Sequence, residues 1–229
     1  MSSNREGAFL AAYKIILFDL DGTLSDPKEG ITKSVHYALE KMDILEPDTD
    51  KLETFIGPPL QVSFAEYYGF DQKESERAID FYRERFKEKG MYENVLYPSI
   101  HLLLASLKES GYVLVVATSK PTVFAEQIIK HFELEQYFQL IVGSNLNGTR
   151  SSKTEIIQHI LDKYTEFYPN DFVMIGDRKH DIIGAKNTGI DSIGVTYGYG
   201  SREEIKEAEP TYTVSSVEHL MDLLLGSRV

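Results

Sequence analysis

The sequence predicts an α/β fold in which a parallel sheet is interrupted by a long helical insertion. An apolar run from Ile15 to Phe18 has the length of a strand and ends in two carboxylates. From Ser25 to Tyr92 the apolar spacing is helical, and no strand is expected. From Tyr97 onward helices and strands alternate, which is typical of parallel strands joined by crossover helices. The chain therefore begins a sheet, leaves it for a helical block and returns to complete it.

Composition excludes several classes of protein. With 229 residues and 42% hydrophobic content, the chain can bury the core of one large domain or two small ones. Its formal net charge of −12 disfavours nucleic acid and anionic membranes as partners, because both attract basic surfaces. The chain has no cysteine, so thiolate chemistry and cysteine-bound zinc are excluded. No apolar stretch reaches the roughly 20 residues of a membrane-spanning helix, and Lys14 interrupts the apolar start of the chain, so we expect a cytoplasmic protein.

Each predicted helix of the insertion has its own boundary. The first carries an apolar face and ends at Pro47. That face consists of Ile31, Val35, Ala38, Leu39 and Met42. Gly57-Pro58-Pro59 separates it from the next helix, and a long amphipathic helix follows from Asp71 to Gly90. The insertion is therefore predicted to be all-helical.

These boundaries divide the chain into two predicted domains. Residues 1–25 and 97–229 form the α/β core, and residues 26–96 form the inserted helical domain. The chain crosses between them near Ser25 to Lys28 and near Asn94 to Pro98. Two such crossings would act as hinges on which the inserted domain opens and closes over a site.

After the insertion the predicted strands are short and alternate with helices. The strands are Tyr112 to Ala117, Leu140 to Val142, Phe172 to Ile175 and Ser192 to Val195. The helices run from about Ser99 to Ser110, Thr122 to Phe132, Ser152 to Glu166, Asp181 to Thr188 and Ser215 to Leu225. Tyr197 to Gly200 is predicted to be a flexible loop.

Asp19 and Asp21 follow the first strand directly. Residues i and i+2 of an extended chain face the same side, so the two carboxylates would repel each other unless a cation lies between them. This spacing favours a metal ion. Gly22 would allow a tight turn close to a ligand, and Thr23 adds a hydrogen-bond donor. An ordinary Asp-Gly turn after a strand is the alternative.

Other polar residues also lie beyond predicted strands, where ligands bind in open parallel sheets. They are Thr118, Ser119, Asp177 and Asp181, with Lys153 at the start of a helix nearby. Taken alone, each has a structural explanation as a helix cap, a first-turn charge or a surface lysine. Their shared position favours a site.

The set suits phosphoryl transfer through a carboxylate. Asp19 would attack phosphorus, while Asp21 would protonate the leaving oxygen and then take a proton from water. Two or three carboxylates would hold Mg²⁺, which prefers hard oxygen ligands. Thr118 and Lys153 would hold the phosphoryl oxygens through a hydrogen bond and a charge.

Four motifs in this order resemble the haloacid dehalogenase superfamily, and within it the phosphoglycolate phosphatase-like branch. They are Asp19 to Leu24, Val115 to Pro121, Ser152-Lys153 and Ile175 to Asp181. The resemblance implies a doubly wound, mainly parallel sheet core with the first strand in its middle, and a helical cap inserted after the first motif. It also implies that specificity lies in the cap, where Gly57-Pro58-Pro59 resembles the loop that faces the active site.

The resemblance assigns roles to the site residues. Asp19 is expected to be the nucleophile, and Asp21 the general acid and base. Mg²⁺ would be bound by Asp19, the backbone carbonyl of Asp21 and Asp177, with Asp181 binding directly or through water. The phosphate group would be bound by Thr118, Lys153, Ser119, Gly22 and Thr23.

Two positions depart from the family pattern. Lys153 is followed by Thr154-Glu155, where many phosphoglycolate phosphatases have Lys-Pro-x-Pro. Arg178 stands where a small hydroxyl residue is frequent. Neither change alters the groups that carry out the chemistry. Both weaken the inference that this chain acts on the same substrate as the family branch it resembles.

The expected activity is that of a Mg²⁺-dependent phosphatase, a phosphoric monoester hydrolase that acts on a small phosphorylated metabolite through an aspartyl-phosphate intermediate. Phosphoglycolate, 5′-nucleotides, pyrophosphate and phosphotyrosine are compatible substrates. The alternatives are a phosphosugar mutase on the same scaffold and a phospho-aspartate signalling or binding protein, and the helical insertion argues against the latter. The chain is expected to be a monomer or a homodimer.

Overall fold

The computed structural model describes residues 13–226. The strands are β1 (Ile15–Phe18), β2 (Ser25–Asp26), β3 (Val95–Leu96), β4 (Val113–Pro121), β5 (Leu140–Ser144), β6 (Phe172–Gly176), β7 (Asp191–Val195) and β8 (Tyr212–Val214). The α-helices are α1 (Lys28–Lys41), α2 (Leu60–Tyr68), α3 (Gln72–Arg85), α4 (Ile100–Glu109), α5 (Thr122–His131), α6 (Lys153–Leu161), α7 (Lys179–Thr188), α8 (Arg202–Ala208) and α9 (Val217–Leu225). Residues 1–12 and 227–229, which complete the predicted core domain, lie outside the described residues.

The main sheet is parallel throughout. Within residues 13–226 six strands form it, in the order β5-β4-β1-β6-β7-β8. β1 lies in the middle, where Leu17 is paired with Val115 of β4 on one side and with Met174 of β6 on the other. A sheet that grows outward on both sides of its first strand is doubly wound. The predicted fold class is confirmed.

The side chains of β1 alternate between two apolar layers. Ile16 and Phe18 belong to one cluster of buried side chains, and Ile15 and Leu17 belong to another. Helices cover both faces of a parallel sheet, so a central strand is apolar at every position. This explains why the apolar run changes so abruptly at Asp19, the first residue beyond the strand.

The insertion is built from helical turns. Between β2 and β3 the chain forms α1 to α3, with a 3₁₀ turn at Asp50–Phe55 and a π-helical turn at Phe86–Gly90. The predicted apolar face of α1 is buried at Ile31, Val35, Ala38 and Leu39. One continuous apolar cluster joins insertion and sheet, and it includes both Phe18 of β1 and Phe64 of α2. The division into domains at residues 25/26 and 96/97 stays a prediction.

The short strand β2 corrects the expectation that no strand lies between Ser25 and Tyr92, and β3 is a strand within residues 26–96, which were predicted to be all-helical. Ser25–Asp26 pairs antiparallel with Val95–Leu96, so the chain leaves for the insertion and returns along one two-stranded ribbon. Strands of two residues are too short to show an alternating pattern in sequence. Both predicted hinge regions overlap this ribbon.

The C-terminal part contains two elements that the sequence analysis missed, α8 and β8. The strand β8 extends the sheet by pairing with β7. The segment from Tyr197 to Gly200, predicted to be a flexible loop, is held against the core. The Tyr197 hydroxyl donates to the Thr23 carbonyl at 3.0 Å, and the Tyr199 N–H donates to Asp177 at 2.7 Å. In the part of the chain that the structure describes, no helix combines the length and the apolar character needed to cross a membrane.

Candidate active site

Lys153 lies at the centre of a buried acidic cluster. Its Nζ is 2.7 Å from Asp19 Oδ1 and 2.6 Å from Asp181 Oδ1, and it donates a hydrogen bond to the Ala117 carbonyl at 2.9 Å. Burial lowers the pKa of Lys153, but the charges of Asp181 and Asp19 more than offset this, so its pKa is raised. Lys153 is therefore a buried cation at the strand ends, and the surface-lysine alternative is wrong.

The first turn of α6 places Lys153 in this position. Ser152 is the N-cap: its hydroxyl accepts the Glu155 N–H at 3.3 Å, and the Glu155 carboxylate accepts the Ser152 N–H at 3.1 Å. This reciprocal capping box satisfies two N–H groups that a helix start leaves unpaired. Glu155, one of the two residues that depart from the family pattern, thus fixes the first turn of α6.

Asp19, Asp177 and Asp181 form a group of three buried carboxylates, with one oxygen of each within 4.8 Å of the others. Burial and, after it, the charges of Asp19 and Asp181 raise the pKa of Asp177 well above its ordinary value. Burial also raises the pKa of Asp181, to about 6. One lysine compensates three carboxylates only in part, so the group fits a divalent cation that takes hard oxygen ligands.

Separate hydrogen bonds hold Asp177 and Asp181. Asp177 accepts the Tyr199 N–H at 2.7 Å and the Thr23 hydroxyl at 3.5 Å. Asp181 Oδ2 accepts the Arg178 N–H at 3.1 Å in the first turn of α7. The N-cap of α7 is Arg178, so the helix-cap explanation of Asp177 is wrong. Asp181 contributes both to the start of the helix and to the carboxylate group.

Asp21 pairs with a lysine that the sequence analysis did not assign to the site. Lys120 Nζ is 2.8 Å from Asp21 Oδ2, and both side chains are buried. Burial raises the pKa of Asp21, and Lys120 offsets this only in part. Asp21 Oδ1 has no hydrogen-bond partner among residues 13–226. Lys120 stands inside the second motif, directly after Thr118-Ser119, and this position was the one sequence signal that would have identified it.

Thr118 and Ser119 lie near the end of β4. The Thr118 side chain is buried, and its hydroxyl accepts the Lys120 N–H at 3.3 Å. Lys153 contacts the carbonyl of the residue before Thr118, so both groups lie at the same strand end. Neither hydroxyl caps α5, whose N-cap is Pro121. The structure therefore places Thr118 and Lys153 at the same strand end, and their binding of a phosphate group stays a prediction.

The turn after β1 also belongs to the site. Gly22 has a φ of +81°, in the left-handed region that favours glycine. A Cβ at this position would lie 2.2 Å from Asp177 Oδ2. Thr23 is fully buried beside the same carboxylate. The Asp-Gly turn and the candidate site are thus one structure, and the two explanations do not compete.

A cavity of about 410 Å³ lies between the insertion and the core. Asp21, Ser119 and Lys120 line it on the core side, and Gly57-Pro58-Pro59 lines it on the other, as expected for a loop that faces the site. Its apolar wall is formed by Ile31, Phe55, Leu60, Ile79, Phe86, Phe124 and Leu146. Its polar side chains include Gln61, Glu76, Asp80, Arg83, Asn145 and Asn147.

Residues 16–195 match the sequence model of a protein family described as haloacid dehalogenase-like hydrolase, and this range contains all four motifs. The chain belongs to this hydrolase family. A crystal structure described as a predicted phosphatase from Clostridium acetobutylicum has a TM-score of 0.90 and 52% identity, and the match covers 93% of this chain and 98% of that one.

Curated relatives of the hydrolase carry different names. It is 48% identical to a 5′-nucleotidase from Pseudomonas aeruginosa, with 93% of this chain and 96% of that protein covered. It is 35% identical to the tyrosine-protein kinase PtkA from Mycobacterium tuberculosis, with coverage of 92% and 72%. It is 27% identical to a phosphoglycolate phosphatase from Vibrio vulnificus, with coverage of 93% and 97%. The prediction of a phosphoric monoester hydrolase is confirmed by the relatives named as phosphatases and as a nucleotidase.

In this hydrolase Arg178, the second departure from the family pattern, connects the core to the insertion. Its Nη1 donates to the Ile56 carbonyl at 2.6 Å, directly before the loop that lines the cavity, and its Nε lies 2.9 Å from Glu204. Arg83 of α3 donates to the Leu146 carbonyl of the core at 3.0 Å. The structure therefore shows the insertion in contact with the core on two sides of the cavity.

Changing Gly22 to alanine is expected to lower kcat of the hydrolase about 100-fold, because the new Cβ must displace Asp177 and small misplacements in an active site cost this much. The measurement is turnover of an aryl phosphate with Mg²⁺. Gly111→Ala is the matched control, since Gly111 has a φ of +88° but open space where its Cβ would lie. Equal losses in the two variants would assign the effect to backbone strain and contradict the role of Asp177.

Proposed function

We propose that the chain is a Mg²⁺-dependent phosphatase of small phosphate monoesters that works through an aspartyl-phosphate on Asp19. The observation that carries this proposal is the buried cluster in which Lys153 pairs with Asp19 beside Asp177 and Asp181. A carboxylate held between a lysine and further carboxylates is arranged to attack an anionic phosphoryl group once a metal is bound. Burying four ionisable side chains together is costly, and a purely structural role does not explain it.

The residues present fit Mg²⁺. Asp19, Asp177 and the backbone carbonyl of Asp21 would hold the ion, with Asp181 binding directly or through water. Bound there, Mg²⁺ would offset the negative charge of the carboxylates and of the phosphoryl oxygens. The excess of three carboxylates over one lysine supports this assignment.

The side chains divide the reaction between them. Asp19 attacks phosphorus, and the bond to the leaving oxygen breaks while Asp21 donates a proton to that oxygen. Asp21, now a carboxylate, takes a proton from the water that hydrolyses the aspartyl-phosphate. Lys153 and Thr118 hold the phosphoryl oxygens in both steps, since Lys153 pairs with Asp19 and Thr118 follows the residue whose carbonyl Lys153 contacts.

The size and the walls of the cavity favour a leaving group larger than glycolate. A volume of about 410 Å³ is within the range of sites for small organic ligands, and glycolate would leave most of it empty. Its apolar walls and its amide side chains, among them Gln61 and Asn145, suit a nucleoside. We therefore propose nucleoside 5′-monophosphates as the preferred substrates, which agrees with the relative named 5′-nucleotidase.

A panel of phosphate esters with Mg²⁺ tests this substrate class. Nucleoside 5′-monophosphates are expected to give a higher kcat/KM than phosphoglycolate, pyrophosphate and phosphotyrosine. A preference for phosphoglycolate would contradict the argument from cavity size. Release of inorganic phosphate separates a phosphatase from a phosphosugar mutase, which returns the phosphate to a sugar. A long-lived aspartyl-phosphate without ester turnover would favour the signalling protein.

Removing divalent cations with EDTA is expected to lower kcat at least about 100-fold, because a metal contributes several kcal/mol to such reactions. Excess Mg²⁺ should restore the rate. The thermal unfolding curve in EDTA is the control, because it separates loss of the cofactor from loss of the fold. Undiminished turnover after chelation and dialysis would refute the metal assignment. The cytoplasmic location and the monomeric or homodimeric state stay predictions.

A further inference from the structure

Lys120 is a buried cation that has no role in the reaction proposed above. It lies near the end of β4, and its side chain is 6% exposed. Its Nζ is 2.8 Å from Asp21 Oδ2 and 4.5 Å from the centre of the Phe86 ring. Burial of a lysine is unfavourable unless its partners compensate the charge. The two partners of Lys120 therefore indicate what it does.

The two oxygens of Asp21 have different surroundings. Oδ2 is paired with Lys120, whereas Oδ1 is buried without a hydrogen-bond partner in the described part of the chain. A charge-assisted contact to one oxygen fixes the orientation of the carboxylate, and so it also fixes the other oxygen. Asp21 and Lys120 both line the cavity. Oδ1, which no group in the described part of the chain binds, is therefore the oxygen left to serve a leaving group.

The aromatic partner of Lys120 belongs to the insertion. Phe86 begins the π-helical turn that follows α3, and its ring lies 5.1 Å from that of Tyr82 and 5.6 Å from that of Phe124 in core helix α5, between ring centres. A cation is attracted to an aromatic face most strongly when both groups are shielded from water. Lys120 is thus held by the core on one side and by the insertion on the other.

We propose that Lys120 is a positioning residue, which holds Asp21 through Oδ2 and so directs the proton on Oδ1 to the leaving oxygen. The proposal rests on the proposed function, in which Asp21 carries that proton. In the first step Oδ1 gives up its proton as the P–O bond to the leaving group breaks, and Lys120 compensates the carboxylate that remains. In the second step Oδ1 takes a proton from the attacking water, which restores the starting form. Because Phe86 lies on the insertion, both the core and the insertion contribute to the position of Lys120.

A lysine that bound the phosphoryl group instead would have different kinetics. It would stabilise the phosphoryl charge whatever the leaving group was. A residue that assists proton transfer affects the rate only when the leaving oxygen is basic. Nitrophenolate is weakly basic and departs without a proton, whereas the 5′-oxygen of ribose must be protonated as it departs. The dependence of the rate on the leaving group therefore separates the two roles.

The test compares Lys120→Met with the wild-type protein on 4-nitrophenyl phosphate and on a nucleoside 5′-monophosphate. We expect kcat/KM to fall about 100-fold on the nucleotide and less than about tenfold on the aryl ester, since general acid catalysis is worth this much. This constant reports the steps up to departure of the leaving group and not the later hydrolysis of the aspartyl-phosphate, which the two esters share. Lys120→Arg keeps the charge and is expected to recover part of the nucleotide rate. Lys130→Met, at an exposed lysine of α5, is the matched control and should leave both rates unchanged.

Equal losses of kcat/KM on the two esters in a folded Lys120→Met protein would overturn the positioning role. Thermal unfolding shows whether the variant is folded. If Lys120→Met is not folded, Phe86→Leu is measured instead. Removing the ring should also lower kcat/KM more on the nucleotide than on the aryl ester, but by a smaller factor than Lys120→Met. Equal losses on the two esters would again overturn the proposal. A wild-type protein that hydrolyses neither ester would overturn the proposed function itself, and this role with it.

Discussion

Replacing Asp19 with asparagine is expected to lower turnover of every phosphate ester by at least about 10⁴-fold, because loss of a nucleophile removes the whole covalent pathway. The amide has nearly the shape of the carboxylate but cannot attack phosphorus. Asp19 Oδ1 also accepts the Leu20 N–H at 2.7 Å, a contact that the carbonyl oxygen of an amide can keep. The fold should therefore survive while the chemistry is lost.

Release of inorganic phosphate measures this loss, and the mass of the protein after rapid acid quench shows whether phosphate is attached. The wild-type protein should gain the mass of one phosphoryl group during turnover, and Asp19→Asn should not. Asp222→Asn, at an exposed carboxylate of α9, is the control for a change of charge alone. Turnover of Asp19→Asn near the wild-type rate would show that another group, or water itself, attacks phosphorus.

Replacing Lys153 with methionine is expected to abolish activity and to lower the free energy of unfolding of the metal-free protein by about 3–5 kcal/mol, the usual cost of removing one partner from a buried ion pair. Methionine fills a similar volume, so the effect comes from charge. Asp19 and Asp181 lose the ammonium that lies within 2.7 Å of both, and the Ala117 carbonyl loses its donor.

Denaturant unfolding in EDTA measures the change in stability, with Lys163→Met at an exposed lysine as the control. The double variant Lys153→Met with Asp181→Asn should regain part of the lost stability, because it removes one of the uncompensated carboxylates, but it should not regain activity. An unchanged unfolding midpoint in Lys153→Met would mean that the carboxylates are neutralised by protonation rather than by the lysine.

The strands that hold the site were predictable because they are long enough, or apolar enough, to show a pattern. The prediction of β1 at Ile15 to Phe18 agrees with the structure at both ends. The strand at Tyr212–Val214 and the ribbon strand at Ser25–Asp26 were missed, since each has three residues or fewer and exists only through its pairing partner. Tertiary context decides such short elements, and local pattern does not.

The site residues were predictable as a set but not in their contacts. The order of the motifs placed Asp19 and Asp177 at strand ends and Lys153 at the start of a helix nearby, and carboxyl ends of parallel strands meet at one edge. That Lys153 lies between Asp19 and Asp181 depends on how α6 packs beside β4, which no local pattern specifies. The pairing of Lys120 with Asp21 was missed for the same reason, since the two residues meet only because β1 and β4 are neighbours.

The ribbon of β2 and β3 has an evolutionary consequence. Ser25 lies opposite Leu96, so the helical segment leaves and rejoins the rest of the chain at a single junction. A segment attached in this way can be exchanged as a cassette without moving β1 or the carboxylates that follow it. Phosphoryl chemistry can then be inherited unchanged in one part of the gene while the other part diverges toward new leaving groups.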